Sequence, residues 1–162
     1  MKLEIERKFL LKAMPDKEPS EIVKIDQWYW KNPKGTWERA RSWQSNINGL
    51  SWIHTIKKSV SKGINLEDEK FLTKSEYDSF IKRCKSPVED AKFISKERWI
   101  YPDGDLKWEV DIFNNGHHLI VAEIEIPKKS FKVNIPDFIK DKLLMEVTEF
   151  KQFSNRNLSN KI

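Results

Sequence analysis

Residues 3–10 read LEIERKFL. Alternate side chains of an extended strand point to the same side, so Glu4, Glu6 and Lys8 share one face and Ile5, Arg7 and Phe9 the other. Taken alone, two acids and a base suit a solvated edge. Other stretches repeat the pattern. In LKWEVDIF (106–113) Lys107, Glu109 and Asp111 oppose Trp108, Val110 and Ile112. In LIVAEIEI (119–126) Glu123 and Glu125 oppose Ile120, Ala122, Ile124 and Ile126. Lys96 shares a face with Arg98, Arg39 with Arg41, Thr55 with Lys57, and Glu67 with Glu69.

These stripes fall on strands expected near 3–10, 22–30, 36–44, 51–59, 64–72, 93–101, 106–113, 119–126 and 144–150. Turn signals separate them: NPKG at 32–35, NING at 46–49, PDGD at 102–105 and NNGHH at 114–118. Such short connections imply antiparallel pairing. Two segments carry helical spacing instead. TKSEYDSFIKRC (73–84) puts Tyr77, Phe80, Ile81 and Cys84 on one face, with Thr73 and Glu76 as a capping box. IPDFIKDKLL (135–144) groups Ile135, Phe138, Ile139 and Leu143, with Pro136 suited to a first turn.

A water-facing strand usually carries Thr, Ser, Gln and mixed charge. Acid-x-acid and base-x-base stripes across eight strands suit a closed sheet whose charged face turns inward. The expected fold is α+β, mainly β: an eight-stranded antiparallel β-barrel with both signs lining its bore. The apolar exterior is then covered by the two helices and by tryptophans.

Composition fits this reading. The 162 residues are expected to form a single domain, 1–162, with a substantial core. Lys+Arg 30 against Asp+Glu 25 leaves +5, a mild excess that suits an anionic ligand. One cysteine, Cys84, excludes an internal disulfide and a cysteine-built zinc site, and its spacing marks it as a buried hydrophobe. No apolar run is long enough to span a bilayer, and the opening residues do not read as a signal peptide, so a cytoplasmic location without a membrane partner is expected. The positive charges alternate with acids rather than forming one stripe, so extended nucleic acid is not an expected partner. A monomer or homodimer is expected.

Electrostatics narrows the ligand. Two carboxylates about 4 Å apart repel by roughly 4 kcal/mol at an effective dielectric near 20. Glu4, Glu6, Asp111, Glu123 and Glu125 on one wall would hold protons or bind a cation. All-oxygen ligands favour Mg²⁺ or Mn²⁺, which bridge to phosphates. Facing Arg and Lys rows suit phosphate oxygens.

The ordered series EIERK, ERAR, TIKK, LEDE, KERW, WEVDIF, AEIEI and VTEFKQFSNRNLS, from residue 4 to about 158, resembles the CYTH superfamily, the triphosphate tunnel metalloenzymes. The resemblance implies an eight-stranded tunnel that binds a triphosphate and a divalent metal, and metal-dependent hydrolysis of a triphosphate as the activity. Carried over by position, Glu4, Glu6, Asp111, Glu123 and Glu125 are the metal side. Lys8, Arg39, Arg41, Lys57, Arg98 and Lys151 are the phosphate side, and Glu67, Glu69, Lys96, Lys107 and Glu109 support the bore. Lys8 and Tyr29 are the candidates for protonation or water placement. Inorganic tripolyphosphate is the expected substrate, because the loops offer no pocket for an organic head group. The alternatives are a class IV-type adenylate cyclase making cyclic AMP, and a non-enzymatic module that binds polyphosphate or a nucleotide. Asn65 stands where many members carry Arg, and Phe153 where Tyr is common.

The remaining conspicuous residues read as structural. His54 has the parity opposite Lys57, and His117 and His118 sit in a turn. Most of the seven tryptophans have outer parity, whereas Trp37 and Trp43 share the parity of Arg39 and Arg41.

Overall fold

The computed structural model describes residues 1–86, 91–114 and 118–161. Eight strands form the framework: β1 (Lys2–Leu11), β2 (Glu21–Lys31), β3 (Trp37–Ser45), β4 (Gly49–Ser61), β5 (Ile64–Leu72), β6 (Lys92–Asp103), β7 (Leu106–Phe113) and β8 (Ile120–Glu125). Antiparallel pairing runs β6-β2-β3-β4-β5-β1-β8-β7, and β7 pairs back onto β6 to close the barrel. Helix α1 (Lys74–Lys85) follows β5, and the one-turn helices α2 (Asp137–Lys140) and α3 (Asn155–Leu158) follow β8. Strand β9 (Leu143–Glu146) adds to β1, and β10 (Asn160–Lys161) to β6. Among the described residues no helix is long and apolar enough to cross a membrane.

The expected turns at 32–35, 46–49 and 102–105 place Gly35, Gly49 and Gly104 at positive φ. The middle of the turn expected at 114–118, with His117, lies outside the described residues.

The exterior is apolar where other elements cover it, and carries exposed charge elsewhere, as at Lys24, Asp26, Asp68 and Lys70. Tyr77, Phe80 and Cys84 of α1 pack on Ala40, Trp28, Trp30 and Trp52 of β2 to β4. The Thr73–Glu76 capping box holds the helix N-terminus with bonds of 2.9 and 3.1 Å, and Lys82, Arg83 and Lys85 complement its last turn. On the other side Phe9, Trp108, Val110, Ala122 and Ile124 are covered by a segment carrying Phe131, Val133, Ile135, Phe138 and Ile139. His54 lies outside the bore, 2.8 Å from Glu38 and edge-on to Phe80 beneath α1.

Two expectations are corrected. The helix expected over 135–144 has one turn, because Leu143–Glu146 instead hydrogen-bonds along β1. The strand expected over 144–150 accordingly ends at Glu146. Unpaired edge groups on β1 outweigh continued helix, since buried backbone N–H and C=O groups need partners.

The bore is also not charged throughout. Leu10, Tyr29, Ile94, Phe113 and Val121 share the inward parity and pack with Leu158 as one apolar layer. Val23, Ile25 and Ile100 form a second with Trp43. The charged residues lie between these layers.

β1 leaves β5 after Ile5, and its edge is completed by other groups. Glu6 N–H donates to the Gly63 carbonyl at 2.9 Å, Lys8 N–H donates to Thr148 Oγ1 at 2.9 Å, and Val147 N–H donates to the Lys8 carbonyl at 2.8 Å. Gly63 has φ +74, and a Cβ there would sit 2.9 Å from both the Glu6 carbonyl and Thr148 Cγ2. Gly63→Ala should therefore lose roughly 1–3 kcal/mol in denaturant unfolding. Gly35→Ala, at φ +80 but facing open space, should lose less.

Candidate active site

Where β1 and β5 part, the barrel holds a cavity of about 640 Å³. Its walls carry Glu6 and Lys8 from β1, Tyr29 from β2, Arg39 from β3, and Thr55 and Lys57 from β4. Asn65 of β5 adds to the wall, and Lys151, Asn155 and Arg156 reach it from the C-terminal segment.

Acids and bases bridge this chamber directly. Lys57 Nζ lies 2.5 Å from Glu4 Oε1 and 3.6 Å from Glu6 Oε1. Lys8 Nζ is 3.8 Å from Glu6 and 3.5 Å from Glu123. Burial would raise Glu4, but the Lys57 charge overrides it and takes the carboxyl down to about 2. Glu67 shares a hydrogen bond with Glu4, so burial and that negative neighbour push it up to about 8. Glu6 is raised by burial and then by Glu123. Glu125 is raised by burial and by Glu4. Burial opposes the charged forms of Lys8 and Lys57, yet both are raised by their carboxylate neighbours.

Deeper in the barrel the pairs are almost wholly buried. Asp111 is fully buried and accepts from Lys96 Nζ at 2.6 Å and from Arg98 Nε and Nη2 at 2.7 and 2.8 Å. Burial would raise Asp111, but Arg98 and Lys96 hold it well below the usual carboxylate range. Arg98 also donates to Glu109 at 2.8 Å. Burial takes Lys96 down to about 8 despite Asp111 beside it, and Lys96 also donates to Asn155 Oδ1 at 3.0 Å. Arg41 donates to Glu69 at 3.1 Å and lies over Trp43, which Arg98 also approaches. Burial lowers Arg41, with the charges of Arg39 and Arg98 adding to it.

Most of the expected site residues fall into two groups, with Glu123 beside Lys8 and Arg41 paired with Glu69. Glu6, Lys8, Tyr29, Arg39, Lys57 and Lys151 line the chamber, with Glu4 and Glu67 coupled to it through Lys57. Asp111, Lys96, Arg98 and Glu109 form a separate ion-pair network, and Lys107 is largely exposed 4.0 Å from Glu109. Of the five acids expected on one wall, Glu4, Glu6, Glu123 and Glu125 lie close enough on β1 and β8 to act on one another's charge, while Asp111 is held apart by Lys96 and Arg98. Among the described residues no three acidic, histidine or cysteine side chains are grouped as ligands of one ion. Lys57 takes up Glu4, and Lys96 with Arg98 takes up Asp111. Asn65, where Arg is common in the resembled family, donates to Glu4 at 3.5 Å.

Three residues escaped the sequence reading. Asn155 and Arg156 belong to an irregular tail that strand parity does not address. Gln27, neutral and flanked on its own face of the strand by Ile25 and Tyr29, carried no charge signal.

No family model matches the chain, and no curated protein matches it in sequence. Solved structures share its fold. The inorganic triphosphatase NE1496 superposes with a TM-score of 0.61 at 24% identity, covering 98% of each chain. PH1012 from Pyrococcus horikoshii OT3 gives 0.55 at 20%, over 78% of this chain and 80% of that one. A conserved hypothetical protein from Pyrococcus furiosus gives 0.54 at 18%, over 85% and 84%.

Proposed function

We propose that the chain is a triphosphate tunnel metalloenzyme that hydrolyses inorganic tripolyphosphate. The observation that carries this is a pair of cationic donors left over beside the chamber. The guanidinium Nε atoms of Arg39 and Arg41 are buried without hydrogen-bond partners among the described residues. A buried unpaired donor costs about 1–3 kcal/mol, and an anion would satisfy both.

The Glu–Lys bridges then have a reading. Without substrate, the acidic and basic walls neutralise each other through Lys57 and Lys8. A polyphosphate entering between them offers its oxygens to Lys57, Lys8 and Arg39. Glu4, Glu6 and Glu123 are thereby released, and their hard carboxylate oxygens suit Mg²⁺ or Mn²⁺. Burial and then the neighbouring Glu123 charge raise Glu6, and a cation there would offset both. Such an ion, when bound, neutralises charge on the phosphoryl group and lowers the pKa of bound water. The protein's own residues hold the chain in line for attack, with Arg39 and Arg41 clamping oxygens and the Lys8 ammonium close to the leaving oxygen. The Tyr29 hydroxyl, also lining the chamber, places water.

The rim favours an inorganic substrate. Trp37 lines the chamber, but Arg156, Lys92 and Lys31 already lie 5.0, 5.7 and 5.9 Å from its ring. Cations so placed suit phosphate better than a stacked base. Tripolyphosphate should exceed ATP and thiamine triphosphate in kcat/KM by at least about tenfold, or about 1.4 kcal/mol. A malachite-green panel with Mg²⁺ or Mn²⁺ measures this, and EDTA should stop all release. An organic triphosphate leading the panel would refute the substrate assignment. Cyclic AMP and pyrophosphate from ATP would instead identify a cyclase, and binding by calorimetry without turnover a non-enzymatic module.

A further inference from the structure

One buried polar side chain of the bore has no part in the site described above. Gln27, on the inner face of β2, is 0% exposed, and among the described residues neither its Oε1 nor its Nε2 has a hydrogen-bond partner. Packing alone would favour an apolar residue there. The neighbouring inward position on its own strand is Ile25, and Ile94 lies opposite on β6.

Its position suggests a reason for the amide. Gln27 pairs in register with Arg41 of β3, and Tyr29 with Arg39. Tyr29 and Arg39 line the chamber, so Gln27 and Arg41 lie one inward step below its wall. Unpaired Gln27, Arg39 Nε and Arg41 Nε therefore occupy adjacent inward positions on two neighbouring strands. A carboxylate at Gln27 would repel a phosphate. A further cation would be repelled by Arg39, Arg41 and Arg98. A neutral amide avoids both and can donate to the ligand while accepting from an arginine.

We propose that Gln27 contacts substrate: Nε2 donates to an oxygen of the innermost phosphoryl group, while Oε1 accepts from the Arg41 guanidinium. The assignment rests on the triphosphate reading and extends it to a neutral residue that sets how the deepest phosphoryl group is held.

The test is calorimetry of inorganic tripolyphosphate binding to the parent chain, Gln27→Leu and Gln27→Met, with EDTA present to prevent turnover. Both variants should bind at least tenfold more weakly. Their unfolding temperatures should equal or exceed the parent's, because a buried unpaired amide has been removed. Unchanged affinity overturns the proposal. Weaker binding together with a lower unfolding temperature assigns Gln27 a structural role and overturns it as well. If neither variant folds, the side-chain amide resonance of Gln27 in the ¹⁵N-labelled parent decides: it should move on adding tripolyphosphate, and a stationary resonance refutes the contact. A parent that binds no tripolyphosphate, pyrophosphate or nucleoside triphosphate removes the triphosphate reading too, whereas equal binding by parent and variants removes only the Gln27 contact.

Discussion

Glu4→Gln combined with Glu6→Gln should lower kcat/KM for tripolyphosphate by at least about 10³-fold, or about 4 kcal/mol of transition-state stabilisation. The amides keep the shape of the acids but lose the charge that would hold a divalent ion. They also release Lys57 and Lys8, whose present partners include both carboxylates. Tripolyphosphate should therefore bind the double variant more tightly than the parent when EDTA is present, even as turnover disappears. That opposite movement of affinity and rate separates loss of the acidic wall from general damage. Circular dichroism should remain that of a barrel, since the hydrophobic layers do not involve these residues. Phosphate release at the parental rate, with EDTA present, would end the metal-dependent reading of the acidic wall.

Asp111→Asn should cost about 3–5 kcal/mol in unfolding free energy, because removing one partner of a buried pair leaves charge uncompensated. Here two cations lose it at once: Lys96 at 2.6 Å and Arg98 at 2.7 Å. The deficit should depend on pH. Lys96 has a folded pKa of about 8 against 10.5 for the free group. Between those values the unfolded chain binds the extra proton, so stability rises with pH across that window. Without Asp111 the folded-state pKa of Lys96 falls further, so the variant gains more than the parent. Its deficit should shrink from pH 7 toward pH 10. Parallel denaturant curves at the two pH values measure this, and a deficit independent of pH would mean that Lys96 does not carry the cost.

Parity made most of the barrel legible in the sequence. A strand with two different faces leaves that record in its residues, and Lys57, Arg39 and Glu6 could be placed together without coordinates. The apolar layers were harder to see. Leu10, Ile94, Phe113 and Val121 share the inward parity of the charged stripes, but they sit at strand ends, where a stripe looks finished. Parity also assigns a face and not a partner. Glu4 and Asp111 both read as acids of one bore, yet register puts Asp111 opposite Arg98 and Glu4 within reach of Lys57. The second helix was read too long because 135–144 carries good helical spacing, and only the vacant edge of β1 cuts it short. Gln27 was missed because a single amide among apolar residues looks like noise until its missing partners are visible.

Closure of the ring also constrains how the chain acquires its shape. β1 pairs with β5 through Lys2 opposite Glu67, and with β8 through Glu6 opposite Glu125. The first strand of the ring must therefore wait for the other strands, up to β8, before both of its edges are covered. Contacts so distant in sequence place folding in the slow, millisecond-to-second class. Until β8 arrives, β1 carries an open edge, a template for pairing with other nascent chains. Its inward Glu4, Glu6 and Lys8 then act as gatekeepers, because charge on an exposed edge opposes sheet-to-sheet association. The residues proposed to meet substrate in the finished barrel are thus the ones that protect the unfinished one.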